Sequence, residues 1–185
     1  MRPRQQWIVI LLGLGLLLGP VLAGRGGAAL DARPESRGLD IRAILDRANP
    51  HLGPATLGRI AAAVRRCERD QGVDAELVLR VMLVESMARP GVRSPKGATG
   101  LMQVMPHMFR ELDLPGNLAH IEANVEAGCL ILADNIRRLG PDDGVSAYFW
   151  GNRIRGTRYL EEVRTALERL DREVPGEDSE PLQPL

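Results

Sequence analysis

An all-α fold built as a single helical domain is what this sequence predicts, and three observations carry the prediction. Apolar residues recur every three or four positions in successive segments, each closed by Gly or Pro. One segment, 75–88, is apolar nearly all round, as a helix at the centre of a domain must be. No run alternates apolar and polar residues in the manner of a half-buried strand.

The first helix is expected from Asp40 to Ala48, stopping before Pro50. A second, Pro54 to Gln71, aligns Leu57, Ile60, Val64 and Cys67 on one stripe and ends at Gly72. Asp74 is suited to cap the third, Ala75 to Ala88, in which Leu77 through Val84 is apolar except for Arg80. Arg89-Pro90-Gly91 stops it. A turn-rich loop follows, Ser94-Pro95-Lys96-Gly97-Ala98-Thr99-Gly100, with a vestigial hairpin possible within 91–103. Pro106 opens a short helix to Leu112. The clearest stripe is Ile121, Val125, Cys129, Leu132, Ile136 and Leu139, closed by Gly140-Pro141. A short helix is expected over Asp142 to Phe149. A last one, Thr157 to Leu170, lines up Leu160, Val163, Leu167 and Leu170.

The ends read differently. Arg2 and Arg4 precede an apolar run from Trp7 to Leu18, and Val21-Leu22-Ala23 supplies a small-residue end before Gly24, so residues 1–23 are expected to be a signal peptide. The alternative is an uncleaved anchor, because the run approaches the length of a short span. On either reading membrane contact is confined to the N-terminal segment, and the remainder works outside the cytoplasm. Residues 24–39, rich in Gly, Arg and Ala, read as a linker; residues 172–185, acidic and Pro-rich, read as a disordered tail. That leaves 40–171 for the folded domain.

Charge and composition exclude several classes of partner. Basic and acidic residues balance at 24 each in 185 residues, which gives no electrostatic footprint for nucleic acid. His51, His107 and His120 have no ligand spacing with one another or with the cysteines, so no metal site is expected. Cys67 and Cys129 leave two alternatives: a disulfide formed in an oxidising compartment, or two separately buried thiols.

Glu85 is the candidate catalytic residue. It shares a helical face with Val78, Val81 and Met82, so its carboxyl emerges from apolar surroundings. It also lies in the last turn, where the helix dipole disfavours negative charge. Both effects favour the neutral acid and raise the pKa, as a general acid working near neutrality requires. Position alone favours the ordinary reading, a solvated or Arg-paired glutamate at a helix end.

The neighbourhood separates the two. Glu85-Ser86 closes a buried helix, Gly100-Leu101-Met102-Gln103 lies in the following loop, and Ala147-Tyr148 comes near the end of the domain. In this order and spacing the sequence resembles the lytic transglycosylases of the soluble Slt type, relatives of goose-type lysozyme, over roughly residues 55–165. The resemblance implies a lysozyme-like helical domain acting in the periplasm or cell envelope on the glycan strands of peptidoglycan, without metal or organic cofactor. It implies cleavage of the MurNAc–GlcNAc β-1,4 bond with formation of a 1,6-anhydroMurNAc end, Glu85 acting first as acid and then as base. A second carboxylate is not needed if the substrate's own N-acetyl group stabilises the positive charge. For a chain of this size it further implies local work beside an envelope-spanning secretion or pilus apparatus.

The same resemblance assigns substrate-binding roles. Ser86 orients the substrate or the Glu85 carboxyl, Gln103 bonds sugar groups, and Met102 packs on a sugar face. Gly97 and Gly100 admit the glycan close to the backbone, and the Tyr148 hydroxyl holds Glu85. Each has an ordinary alternative: a backbone-bonded hydroxyl, loop packing, a plain turn, a core aromatic. Two departures stand out. Phe149 occupies the place of the family's Asn, and Met87-Ala88 replace its Gly-Phe. Trp150 offers a stacking surface or a core side chain. Two other functions fit the same residues: a hydrolytic muramidase using Glu85 with an activated water, and a weakly catalytic wall-binding accessory.

Overall fold

The computed structural model describes residues 38–173. The segment expected to be a signal peptide, nearly all of the expected linker, and residues 174–185 of the expected tail lie outside them. Among the described residues there are eight helices: α1 (Ile41–Ala48), α2 (Pro54–Gln71), α3 (Ala75–Ser86), α4 (Pro106–Glu111), α5 (Ile121–Leu139), α6 (Pro141–Trp150), α7 (Arg158–Arg164) and α8 (Ala166–Glu173). The all-α expectation holds, and so does the vestigial hairpin. It survives as two isolated antiparallel bridges, Arg93 with Thr99 and Thr99 with Val104.

Local chemistry sets the helix ends. Asp40 caps α1 by accepting from the Ala43 N–H at 3.1 Å, and Asp74 caps α3 by accepting from the Glu76 N–H at 2.7 Å. Pro54, Pro106 and Pro141 each stand in the first turn of their helix, where the missing N–H costs nothing.

The core gathers around α3, whose Val78, Leu79, Val81 and Met82 are wholly buried. Each such side chain contributes about 1.5–3 kcal/mol through apolar surface removed from water. Helix α3 packs against α2, α7 and α8, while α5 packs against α2 and α6. Cys67 of α2 and Cys129 of α5 form a disulfide with Cα atoms 5.8 Å apart, which settles the two alternatives in favour of pairing. Beside it Arg59 makes a bidentate ion pair with Glu122 at 2.7 and 2.8 Å, again tying α2 to α5. No helix among the described residues is long and apolar enough to cross a membrane.

The structure differs from expectation in two helices. The segment expected as one helix from Thr157 to Leu170 is broken at Thr165, whose hydroxyl donates to the Glu161 carbonyl. The apolar stripe runs through the break because only one residue leaves the helix. The Arg164 carbonyl next to it accepts from Arg80, which also reaches Glu76 and Glu168. The one charge within the apolar run of α3 therefore pins the junction of α7 and α8. Helix α3 itself ends at Ser86 rather than Ala88. Met87 and Ala88 both adopt left-handed backbone, at φ 49° and 52°, and turn the chain sharply into the motif loop.

Candidate active site

Glu85 stands in the last turn of α3, half-buried, and accepts a hydrogen bond from the Tyr159 hydroxyl at 2.6 Å through Oε1. Burial raises the pKa of its carboxyl above the ordinary carboxylate range, and the Tyr159 bond, which favours the charged form, opposes that shift in part. Burial and the nearby Glu85 charge push the Tyr159 hydroxyl well above its usual value, so it remains a donor. Burial thus favours the protonated carboxyl, and the Tyr159 bond fixes the direction in which it points.

The motif loop folds back over the end of α3 through a set of buried bonds. Ser86, 2% exposed, donates through its hydroxyl to the Leu101 carbonyl at 2.8 Å, with the Met82 carbonyl at 3.2 Å. The role expected of Ser86 on substrate or on Glu85 is thereby corrected: its proton is spent on backbone, and it anchors the loop to α3. Met102 is likewise corrected. It is 0% exposed and lies in the core, so no sugar face can pack on it.

Gly100 takes φ 79°, and a Cβ there would sit 2.4 Å from Nδ2 of Asn124. Its glycine is required by that amide as well as by the turn. Gly128, one turn along α5 from Asn124, leaves room for the Met102 side chain and the Tyr148 hydroxyl, which a Cβ would meet at 2.5 and 2.9 Å. Gln103, half-buried with φ 45°, donates from Nε2 to the carbonyls of Gly100 and Val92 at 3.0 and 3.3 Å. Its amide oxygen accepts no hydrogen bond among the described residues.

Tyr148 does not hold Glu85 as expected. Its hydroxyl donates to the Met102 carbonyl at 2.8 Å, and the contact with Glu85 comes from Tyr159 instead. Successive side chains on helix α6 are turned by about 100°, which explains this: Tyr148 turns inward to the loop, while Phe149 turns outward and stacks on the Tyr159 ring, centroids 5.1 Å apart at 17°. Trp150 meets Phe149 edge-on at 4.9 Å, with its own Nε1 buried and without a partner among the described residues.

Two residues of this site escape the sequence reading, and each leaves a trace there. Tyr159 directly precedes Leu160 of the α7 stripe and is one of only two tyrosines in an aromatic-poor chain. Asn124 falls three residues after Ile121 on the buried stripe of α5, a polar side chain where the pattern calls for an apolar one. It is 1% exposed, accepts from the Met102 N–H at 2.9 Å, and donates to the carbonyls of Thr99 and Leu118 at 2.8 and 3.0 Å.

A depression between α2 and α5, bounded by Arg66, Asp70, Glu122, Glu126 and the disulfide, contains none of these residues. Its Glu122 is held ionised by Arg59, down to about 2, the opposite of what a general acid needs.

A family model described as the transglycosylase SLT domain matches residues 62–166, a span that includes Glu85, the motif loop, Tyr148 and Tyr159. Among solved structures, the chain is similar to an inactive mutant of lytic transglycosylase Slt from Pseudomonas aeruginosa, at 19% identity and TM-score 0.49, covering 60% of this chain and 24% of that one. It is also similar to the 70 kDa soluble lytic transglycosylase of Escherichia coli, at 26% identity and TM-score 0.46, covering 57% and 19%. A complex of a 70 kDa soluble lytic transglycosylase with bulgecin A matches at 22% identity and TM-score 0.46, covering 59% and 20%. This chain thus spans a quarter or less of the length of those structures. A search of curated proteins finds no match.

Proposed function

The chain belongs to the transglycosylase SLT domain family, and from that premise we propose that it is a lytic transglycosylase cleaving the glycan strands of peptidoglycan, with Glu85 as its acid and base. The observation that carries the proposal is the Glu85 carboxyl, raised in pKa by burial and aimed by the Tyr159 hydroxyl at 2.6 Å.

The chemistry follows from one carboxyl. Protonated Glu85 delivers its proton to the glycosidic oxygen as the bond to the anomeric carbon of MurNAc breaks. The resulting carboxylate, steadied by Tyr159, accepts the proton of the MurNAc 6-hydroxyl as that oxygen closes on the anomeric carbon. The products are an anhydro sugar and a free 4-hydroxyl, no water is consumed, and Glu85 ends as it began. The hydrogen-bond partner of Glu85 is a tyrosine rather than a second carboxylate, which suits assistance by the substrate's acetamido group. The Gln103 amide oxygen, which accepts no bond among the described residues, is free to accept from a sugar hydroxyl or acetamido N–H.

The disulfide between Cys67 and Cys129 supports work in an oxidising compartment, in keeping with the periplasm or cell envelope. The deciding experiment is mass spectrometry of purified sacculi digested by the wild-type protein and by Glu85→Gln. Anhydro ends from the wild type and none from the variant are expected. Reducing ends in their place would assign the site to a muramidase, and unchanged turnover by Glu85→Gln would remove Glu85 from the mechanism.

A further inference from the structure

Four of the chain's six aromatic side chains, Tyr148, Phe149, Trp150 and Tyr159, gather where α6 ends and α7 begins, beside Glu85. Three of them are committed within the protein, two by hydrogen bonds and one by partial burial. Tyr159 holds Glu85, Tyr148 holds the motif loop, and Trp150 is half-buried with its N–H shut away from solvent. Phe149 has no such task. It is 58% exposed, the most exposed of the large hydrophobic side chains described. An apolar ring left in water forgoes stabilisation that burial would supply, and it stands at a position where hydrogen-bonding or charged side chains are equally accommodated by the backbone.

The ring is nonetheless held. It stacks on Tyr159 and meets Trp150 edge-on, so its orientation is set before any ligand arrives. Two contacts in series, a 5.1 Å ring stack and a 2.6 Å hydrogen bond, join this exposed ring to the Glu85 carboxyl. We propose that Phe149 is a glycan-contacting residue, a stacking platform for the apolar face of a sugar adjoining the scissile bond; this rests on the reading of the site as peptidoglycan-cleaving. A pyranose carrying equatorial substituents presents a face of axial C–H groups, weakly positive, to which the negative face of an aromatic ring is complementary. Because the ring is already pinned, contact with the sugar costs little further side-chain ordering. Stacking of this kind selects for sugars with an unencumbered face.

The test uses Glu85→Gln as a non-cleaving parent, with binding of peptide-free MurNAc–GlcNAc oligosaccharides followed by calorimetry. Adding Phe149→Ala is expected to weaken binding about tenfold, the loss of roughly one stacking contact, while adding Phe149→Trp preserves it. In the active protein Phe149→Ala is expected to raise KM about tenfold with kcat and the pH profile little changed, since roughly uniform binding is what is lost. Unaltered affinity in the Phe149→Ala variant would overturn the proposal while leaving the function of the site intact. A fall in kcat at constant KM would overturn it too, and would assign Phe149 to steadying Tyr159. A parent that binds no glycan at all would overturn the functional reading and this inference together.

Discussion

The Tyr159 hydroxyl lies 2.6 Å from Oε1 of Glu85, although the two residues are 74 positions apart in the chain. Helix α3 supplies the acid from the centre of the core, and α7 brings the tyrosine to it by packing on α3. Arg80 secures the packing one helical stretch earlier, through the Arg164 carbonyl and Glu168 at the junction of α7 and α8. The acid is thus directed by a helix that the motif residues alone do not contain.

Replacing Tyr159 by Phe keeps the ring and its stack on Phe149 but removes the donor. That bond favours the carboxylate, so its loss lets the Glu85 pKa rise further. A general acid with a higher pKa stays protonated to higher pH, and the alkaline limb of the kcat/KM profile is expected to move upward. At its optimum kcat should fall between about tenfold and a hundredfold, the worth of a hydrogen bond to a charging group. A Tyr159→Phe profile that superimposes on the wild type would detach Tyr159 from catalysis.

Glu85 also sets a pH dependence of stability. Its folded pKa is raised, so the folded state favours the neutral acid; the contribution is complete below the unfolded carboxylate value and is lost as pH rises through the folded value. Glu85→Gln has no charge to bury. The variant is expected to melt above the wild type at pH 7, with the gap closing as pH falls from the raised folded value to the ordinary carboxylate value. Thermal scans of both proteins at pH 4 and pH 7 test the sign directly.

How much of this was legible beforehand depends on whether a residue acts along its own helix or across the fold. Glu85 is visible because its anomaly is local, an acid at the end of a segment apolar on all sides. The stripes of α2 and α5 are visible because 3.6-residue periodicity is local too. The break at Thr165 is not, because Arg80 of α3 takes up the Arg164 carbonyl from a distant part of the chain. The roles of Ser86, Met102 and Tyr148 are misread for a related reason. Their motif marks where the loop is, while burial decides whether a side chain faces the substrate or holds the loop in place. Asn124 and Tyr159 carry only the faint signal of a polar group on a buried face.

The disulfide is the main covalent tie between α2 and α5. The loop it closes separates the cysteines by 62 positions, which in the chain-entropy account is worth about 4 kcal/mol. Cys67→Ser combined with Cys129→Ser is expected to lose about that much on urea unfolding, and to lose activity at the temperature where it melts rather than before. Reduction of the wild-type protein should reproduce the effect. A doubly substituted protein as stable as its parent would show that α2 and α5 are held by packing alone.

Asn124 provides the sharpest separation of loop position from chemistry, because its amide uses both of its ends. Oδ1 accepts from Met102, and Nδ2 donates to Thr99 and Leu118. Asn124→Asp preserves the shape and the acceptor but turns a lone pair toward two carbonyls that need a donor. Leaving those buried acceptors unpaired costs at least about 2 kcal/mol, and the repulsion of a carboxylate adds to it at neutral pH. Repulsion by the carbonyls and burial both raise the pKa of the introduced acid, so its folded state favours the protonated form, which can donate one bond again. Stability should therefore be lost as pH rises through that raised value and partly regained on acidification, the reverse of an ordinary acid-labile fold. Since Asn124 holds Thr99 and Met102 while Ser86 holds Leu101, the loop that carries Gln103 is expected to shift, and kcat/KM at pH 7 should fall about tenfold below the melting point as substrate loses its alignment with Glu85. Equal stability of Asn124→Asp and wild type at pH 7 would mean that the amide nitrogen is not the donor these carbonyls depend on, and that the bonds of Ser86, Gln103 and Tyr148 suffice to hold the loop.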